Sequence, residues 1–178
     1  MNPLRRRTMV ALVCVLAASA LIPLNARAGS TLMCHGTPAT IIGTPDRDHL
    51  LGTDGDDVIL GRGGSDLVNG RGGNDIICGG PGGDALGGGE RSDVLFGDDG
   101  PDWLDGARAG DTIVGGTGED LIHGGDGGDT IVGNGSDDDL FGGLGIDALN
   151  GGDGEDRCDG GPGDEDVASR CESTPDVP

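Results

Sequence analysis

The sequence predicts an all-β protein: a parallel β-roll (two-sheet β-solenoid) with 18 residues per coil and about seven coils. A glycine occurs at residue 43 and then at every ninth residue to 160, so fourteen nonapeptides run without insertion or deletion over 43–168. Counting that glycine as position 1, position 6 is Asp in thirteen repeats and position 8 is apolar in all fourteen. Self-similarity at one fixed period indicates a repeat architecture.

Residues 1–28 are predicted to be a cleaved signal peptide. Three arginines at 5–7 precede an apolar run from Met9 to Leu24, and Ala26 and Ala28 are the small residues of a cleavage site. We therefore expect a secreted, extracellular protein that starts at Gly29. A retained anchor is the alternative, but the run is short for a span of about 20 residues, and we expect no stable membrane insertion of the mature chain.

Residues 29–42 are predicted to form an N-terminal cap, and residues 169–178 a C-terminal cap or tail. Four cysteines remain after cleavage, at 34, 78, 158 and 171. An even number in an exported chain indicates two disulfides, although four cysteines allow three connectivities. A thiolate metal or redox site is the alternative, but no CxxC spacing is present. We favour Cys34–Cys78 and Cys158–Cys171, because each bond would fasten a non-repeating segment to the roll.

The nonapeptide itself explains the expected coil. Positions 7–9 are long enough for a short strand, and the Gly-rich hexad before them must turn the chain. Two nonapeptides complete one coil, so strands from alternate repeats stack in parallel into two sheets, with position 8 pointing inward. This aliphatic ladder supplies one inward side chain per nine residues, against an ordering cost of about 1–2 kcal/mol per residue. The ladder alone is therefore a weak core.

Charge excludes some partners and indicates others. The 178 residues include 40 Gly and only 2% aromatics, and the formal charge is −21; loss of the four arginines in 1–28 makes it −25. Nucleic acid is excluded as a natural partner, because phosphate recognition needs a basic surface. A chain with this charge repels itself unless counter-ions are present.

Calcium is the cation that fits the repeat. The position-6 carboxylates would stack one coil apart along each edge of the roll, and carboxylates with Gly carbonyls form the hard oxygen set that suits Ca²⁺. Softer metals would need grouped His or thiolate ligands, and the three histidines are not grouped. The candidate metal ligands are Asp48, Asp57, Asp66, Asp75, Asp84, Asp93, Asp102, Asp111, Asp120, Asp129, Asp138, Asp147 and Asp156.

Units such as 115–123 (GGTGEDLIH) and 124–132 (GGDGGDTIV) resemble the RTX, or haemolysin-type, calcium-binding nonapeptide. The resemblance implies a parallel β-roll with each ion between the turns of repeats n and n+2, held by position-6 carboxylates and turn carbonyls. Fourteen repeats leave at most twelve such sites, and twelve Ca²⁺ would bring +24 against −25. The last repeat departs from the pattern, with Glu165 at position 6 and Val167 at position 8.

Two repeats carry arginine in their turns. Arg91 lies in repeat 88–96 and Arg108 in repeat 106–114, and these turns should stack on one edge. We expect no ion between them, with an arginine supplying positive charge to Asp93 and Asp111. The alternative is that both arginines point to solvent and the ion still binds.

The outward face of one predicted sheet is apolar. Position 9 in alternate repeats is Leu60, Cys78, Phe96, Val114 and Val132. An exposed apolar face of this kind is usually covered, and we expect the N-terminal segment to cover part of it. The rest, around Phe96, Val114 and Val132, is a candidate surface for a protein or cell-surface partner or for a homodimer; ordinary β-propensity is the alternative.

The sequence predicts a secreted calcium-binding repeat protein, not an enzyme, whose folding is coupled to Ca²⁺ binding. GxSxG, HExxH and a phosphate-loop lysine are all absent from the sequence. The alternative function is a calcium-dependent adhesion, surface-assembly or partner-binding module that uses the apolar face. A calcium buffer would need no such face, and ice binding would need a regular outward Thr or Asn array, which the repeats lack.

Overall fold

The computed structural model describes residues 32–162 and 165–172. The predicted signal peptide at 1–28, the mature start at Gly29 and the end of the predicted tail lie outside the described residues. Within the described residues every regular element is a strand, so none of them forms a helix able to cross a membrane. The all-β prediction is confirmed.

The strands follow the nonapeptide period. Most of them span positions 7–9 of one repeat and positions 1–3 of the next. In chain order they are β1 (Met33–Cys34), β2 (Thr37–Pro38), β3 (Ile41–Ile42), β4 (His49–Leu51), β5 (Val58–Leu60), β6 (Leu67–Gly72), β7 (Ile76–Pro81), β8 (Ala85–Glu90), β9 (Val94–Asp99), β10 (Trp103–Arg108), β11 (Thr112–Thr117), β12 (Leu121–Asp126), β13 (Thr130–Gly135), β14 (Asp139–Leu144), β15 (Ala148–Asp153), β16 (Arg157–Asp159) and β17 (Val167–Ser169).

Alternate strands pair in parallel, so the chain winds as a roll of about seven coils, as predicted. One sheet has eight strands in the order β17-β15-β13-β11-β9-β7-β5-β3, and the other has seven in the order β16-β14-β12-β10-β8-β6-β4. The register advances by 18 residues per coil; Ile113, for example, lies opposite Leu95 on one side and Ile131 on the other. Each repeat therefore contacts the repeats two places before and after it in its own sheet.

The position-8 side chains form the core between the two sheets. They lie between 0% and 2% exposed from the second repeat to the thirteenth. The glycines at position 1 are buried beside these side chains. The residue there must be glycine because a side chain has no room: a Cβ on Gly124 would overlap with Asp129 Oδ2 and with the carbonyl oxygen of Gly142. The period of glycine is thus required by close packing of one coil on the next.

Within each turn, residues with a left-handed backbone conformation (positive φ) alternate with residues of negative φ. From residue 62 onward, position 2 of every repeat has a positive φ, and position 4 has one in most repeats. Arg91, Ala109 and Ser136 keep the position-4 conformation, with φ of 79°, 74° and 85°, although they are not glycine. The turns of repeats 88–96 and 106–114 therefore retain the common geometry, with strain of about 1–3 kcal/mol at each such residue.

Both predicted disulfides are present, and each fastens a segment outside the regular repeats to the roll. Cys34 in the antiparallel hairpin β1–β2 bonds to Cys78 in β7, and His35 of the same hairpin stacks on Phe96 with ring centroids 3.8 Å apart. The hairpin thus covers part of the outward apolar face, as expected. Cys158 bonds to Cys171 across the last coil.

The last coil corrects one expectation. Strand β17 pairs with β15 at a spacing of 19 residues, with Leu149 opposite Ala168. One extra residue between Gly161 and Asp166 accounts for the shift. Ala168, not Val167, therefore faces the core, and Val167 is 62% exposed.

Candidate metal centres along the two edges of the roll

Position-6 aspartates line both edges of the roll, each directly before the strand that its repeat contributes. They alternate between the edges because successive repeats feed different sheets. One edge carries Asp48, Asp66, Asp84, Asp102, Asp120, Asp138 and Asp156; the other carries Asp57, Asp75, Asp93, Asp111, Asp129, Asp147 and, in the shifted last coil, Asp166. Along one edge, neighbouring residues are one coil apart, a parallel-strand spacing of about 4.8 Å.

One oxygen of the carboxylates after the first coil is fixed by the preceding turn. The backbone N–H of each edge aspartate from Asp48 to Asp147 donates to Oδ1 of the aspartate one coil later, as Asp102 does to Asp120 at 2.9 Å. The same bond recurs along both edges at 2.7–3.0 Å. Each carboxylate therefore reaches back across the gap between two turns.

The second oxygen of twelve carboxylates is buried without a hydrogen-bond partner. These Oδ2 atoms belong to Asp66, Asp75, Asp84, Asp93, Asp102, Asp111, Asp120, Asp129, Asp138, Asp147, Asp156 and Asp166. A buried, unpaired carboxylate oxygen is costly, and buried charges in proteins are paired or bind metal. The stacked carboxylates that the sequence predicted thus have one oxygen free for a cation.

Carbonyl oxygens of the turns lie in the same gaps. A Cβ on Gly116, at position 2, would overlap with the carbonyl oxygen of Asp98 one coil earlier, and a Cβ on Gly118, at position 4, would overlap with that of Gly100. Carbonyls at positions 2 and 4 therefore point towards the next coil. Carboxylate and carbonyl oxygens together form the donor set that Ca²⁺ prefers, so the residues present fit calcium.

Burial raises the pKa of the position-6 aspartates from Asp66 to Asp156 along both edges. Desolvation raises the pKa of Asp102, Asp111 and Asp138 to about 7, with a smaller contribution from neighbouring carboxylates. The pKa rises to about 6 for Asp84, Asp93, Asp120 and Asp129, again chiefly by burial. Hydrogen bonds from the preceding aspartate N–H groups partly offset these shifts. Without a cation, the edges disfavour the ionised form that calcium needs.

The arginine hypothesis is wrong in its partners. Arg108 donates to Glu90 at 2.7 Å, and both side chains are well exposed. Arg91 points to solvent as well. Asp93 and Asp111 keep unpartnered Oδ2 atoms, so the turns of repeats 88–96 and 106–114 have the same free oxygens as the others. Glu90 and Arg108 both occupy position 3 of their repeats and lie one coil apart, so their side chains are in register on the surface and pair with each other.

The two ends of the roll differ from its middle. Asp48 and Asp57, in the first coil, bond through Oδ2 to threonines of their own repeats. At the other end, Asp166 replaces Glu165 as the partner of Asp147, and Glu172 Oε2 accepts the Asp156 N–H at 2.7 Å. Neither Asp166 nor Glu172 was among the residues predicted from the repeat pattern. The one signal for Asp166 was a second acid beside Glu165, followed by an apolar residue at the correct spacing.

A second polar cluster lies on the outward face of the eight-stranded sheet. His35 Nε2 lies 2.9 Å from Asp98 Oδ1, and Cys78 Sγ is close to both. Because Cys78 is held in a disulfide, its sulfur is not a thiolate ligand, and the cluster fastens the hairpin instead. Beside it lies a cavity of about 470 Å³, lined among others by Phe96 and Val114.

Comparison with protein families agrees with this geometry. The family model described as RTX calcium-binding nonapeptide repeat (4 copies) matches residues 42–77, 51–86, 87–122, 109–138 and 132–164. These segments cover the roll from its first coil into its last turn. No curated protein matches the sequence.

Proposed function

Because the chain belongs to the RTX calcium-binding nonapeptide repeat family, we propose that it is a secreted calcium-binding protein whose folding is coupled to Ca²⁺ binding. It has no catalytic activity of its own in this proposal, since its carboxylates serve as ligands. The observation that supports the coupling is the row of twelve buried Oδ2 atoms without partners. Calcium, when bound, supplies the positive charge that these oxygens lack.

The coupling follows from the balance of forces in the roll. The ladder of position-8 side chains is thin, and the glycine-rich turns lose much conformational entropy on folding. Without a counter-charge, the stacked carboxylates add repulsion and desolvation to this cost. Binding to the folded state alone turns binding free energy into folding free energy. Extracellular calcium modules typically have Kd of order 10⁻⁴–10⁻³ M, so the chain is expected to fold where calcium is plentiful.

Calcium removal tests the proposal directly. Circular dichroism of the purified chain, with disulfides intact, is measured in EDTA and during a calcium titration, and native mass spectrometry counts the bound ions. We expect a disordered spectrum in EDTA, a cooperative gain of β-structure with calcium, and several ions per chain. Magnesium at equal concentration is the control and should have little effect, because it retains its waters. An EDTA-treated chain with an unchanged β-spectrum and melting temperature contradicts the proposal.

Secretion is proposed from two features of the chain. Residues 1–28 have the three regions of a signal peptide, and the two disulfides suit an oxidising compartment. N-terminal sequencing of protein from the culture medium should give Gly29 as the first residue. Protein that stays with the cells and begins at Met1 contradicts this part of the proposal.

A second candidate function is partner binding through the outward apolar face, either by a protein or cell-surface ligand or by a second copy. The observation that favours it is the cavity of about 470 Å³ on this face, which His35 of the hairpin, Phe96 and Val114 line together. Sedimentation in calcium over a wide concentration range tests the homodimer. A concentration-dependent dimer that Val114→Asp abolishes supports it, and a monomer throughout contradicts it. Nucleic acid remains an unsuitable partner in view of the charge of −21.

A further inference from the structure

The first coil of the roll is built differently from all the others. Position 2 is threonine only in its two repeats, at Thr44 and Thr53; later repeats have Arg, Gly, Asp, Ala or Asn there. From Arg62 to Gly161 every position-2 residue has a positive φ, but neither threonine does. The first two turns therefore have their own sequence and their own backbone.

The threonines satisfy the oxygen that is free elsewhere. Thr44 donates to Asp48 Oδ2 from its backbone N–H at 2.5 Å and from its hydroxyl at 2.9 Å. Thr53 donates to Asp57 Oδ2 in the same way, at 2.7 and 2.9 Å. Each hydroxyl also accepts the N–H of the residue two places later, at 3.2 Å in the first turn and 3.1 Å in the second. In these two repeats, neutral N–H and O–H groups donate to the Oδ2 atom that is free for a cation in the later repeats.

No turn of the repeat type lies one coil before Asp57, and the residue one coil before Asp48, residue 30, lies outside the described residues. One coil before Asp57 the equivalent residue is Ala39, and its N–H donates to the Leu32 carbonyl at 2.9 Å instead of to a carboxylate. The preceding segment is the β1–β2 hairpin, which turns away to the outward face. Thr40 satisfies the backbone groups of Val58 at this end of the sheet, because its hydroxyl accepts the Val58 N–H at 3.0 Å and donates to the Val58 carbonyl at 3.1 Å.

We propose that the first coil is the N-terminal cap of the two rows of sites, in which Thr44 and Thr53 hold the carboxylates of Asp48 and Asp57 and these two aspartates bind no calcium. The proposal rests on calcium binding by the later turns, and it narrows the sequence expectation that all thirteen aspartates are ligands. Ion binding then begins with the carboxylates of Asp66 and Asp75, which reach back to the first coil. A solenoid end needs such a cap because its last unit has a neighbour on one side only.

Ion counting separates this cap from a calcium site. Native mass spectrometry at saturating calcium compares the wild-type chain with two double variants, Asp48→Asn/Asp57→Asn and the matched Asp102→Asn/Asp111→Asn. Asn keeps an oxygen that accepts the threonine bonds, so the first variant is expected to fold. We expect it to bind as many ions as the wild type, and the second variant to bind about two fewer, one for each carboxylate lost. Loss of ions from Asp48→Asn/Asp57→Asn overturns the proposal, whereas a wild type that binds no ions overturns the proposed function itself.

The threonine hydroxyls provide an independent readout. Thr44→Val/Thr53→Val removes two hydroxyl bonds and should lower the melting temperature of the calcium-loaded chain by roughly 4–8 °C without changing the ion count. The control is Thr112→Val/Thr130→Val, at exposed strand positions whose hydroxyls make no hydrogen bond among the described contacts. The control should melt within about 2 °C of the wild type. A threonine variant that melts like the wild type, or that loses ions, overturns the proposal.

Discussion

At the scale of single residues, glycine at position 1 keeps neighbouring coils close enough to share a gap. Its hydrogen leaves room for the carboxylate of its own repeat and for the carbonyl of the glycine one coil later. The aspartate then reaches the preceding turn and accepts its N–H. The two most regular residues of the nonapeptide therefore depend on each other, and neither can change alone.

Gly124→Ala tests this dependence. The new methyl group would overlap with Asp129 Oδ2 and with the Gly142 carbonyl, so we expect a loss of stability of about 1–3 kcal/mol and weaker calcium binding at that turn. Gly135→Ala is the matched control: its φ is not positive and a Cβ there would touch nothing within 4 Å. Calcium titrations followed by circular dichroism measure both. Equal midpoints for the two variants would show that position 1 tolerates a side chain.

At the scale of elements, each strand is stabilised by its partner one coil away. A six-residue strand buries one aliphatic side chain and one glycine, which is too little for a stable strand on its own. The stability of each coil therefore depends on its contacts with the neighbouring coils, as in other solenoids. The terminal strands β3, β4, β16 and β17 have a neighbour on one side only, and at the C-terminal end the Cys158–Cys171 bond compensates for the missing one.

Removal of that bond should loosen one end of the roll only. For Cys158→Ser/Cys171→Ser we expect a loss of about 3 kcal/mol, since the bond closes a short loop. Hydrogen exchange in saturating calcium should quicken in β16 and β17 and stay unchanged in β6 and β8. Faster exchange throughout the roll would contradict this and would show that the coils unfold together.

At the scale of the whole molecule, the carboxylates along the edges of the roll are buried where a negative charge is unfavourable. A net charge of −21 sits on a chain whose most regular acids are almost fully buried. Eleven of those acids, and Asp166 in the last coil, have an oxygen without a partner, and burial raises the pKa of several of them to about 6 or 7. Two species can offset this negative charge, a divalent cation between the turns or a proton on the carboxylate.

Opposite pH dependences with and without calcium follow from this. Because the folded pKa values lie above the unfolded value, protonation stabilises the calcium-free roll fully below about pH 4, and this stabilisation is lost as the pH rises through about 6 and 7. In EDTA the chain should therefore hold more β-structure at pH 5 than at pH 8. Calcium must displace these protons, so its apparent affinity should rise between pH 5 and pH 8. An affinity that does not vary over this range would contradict the raised pKa values.

The periodic part of the fold could be read from the order of the residues alone. The coil length, the two-sheet roll, the inward position 8 and the aspartate edges could be predicted, because each of these interactions recurs at a fixed spacing that the residues repeat. The two disulfide pairs do not recur; they were predicted on the separate ground that each would fasten a non-repeating segment to the roll. A contact such as that of Asp102 with Asp120 is made many times, so its sequence signal is summed over the whole chain.

Where the period fails, the contacts are known from the folded chain and not from the sequence. Several contacts occur only once or twice in the roll. They are the hydrogen bonds of Thr44 and Thr53 to their aspartates, the one-residue shift that places Asp166 and Ala168, the bond from the Asp156 N–H to Glu172, and the ion pair of Arg108 with Glu90. These contacts depend on which neighbour is missing at an end or which side chains meet on the surface. No repetition marks them in the sequence, because their geometry arises only when the coils are stacked.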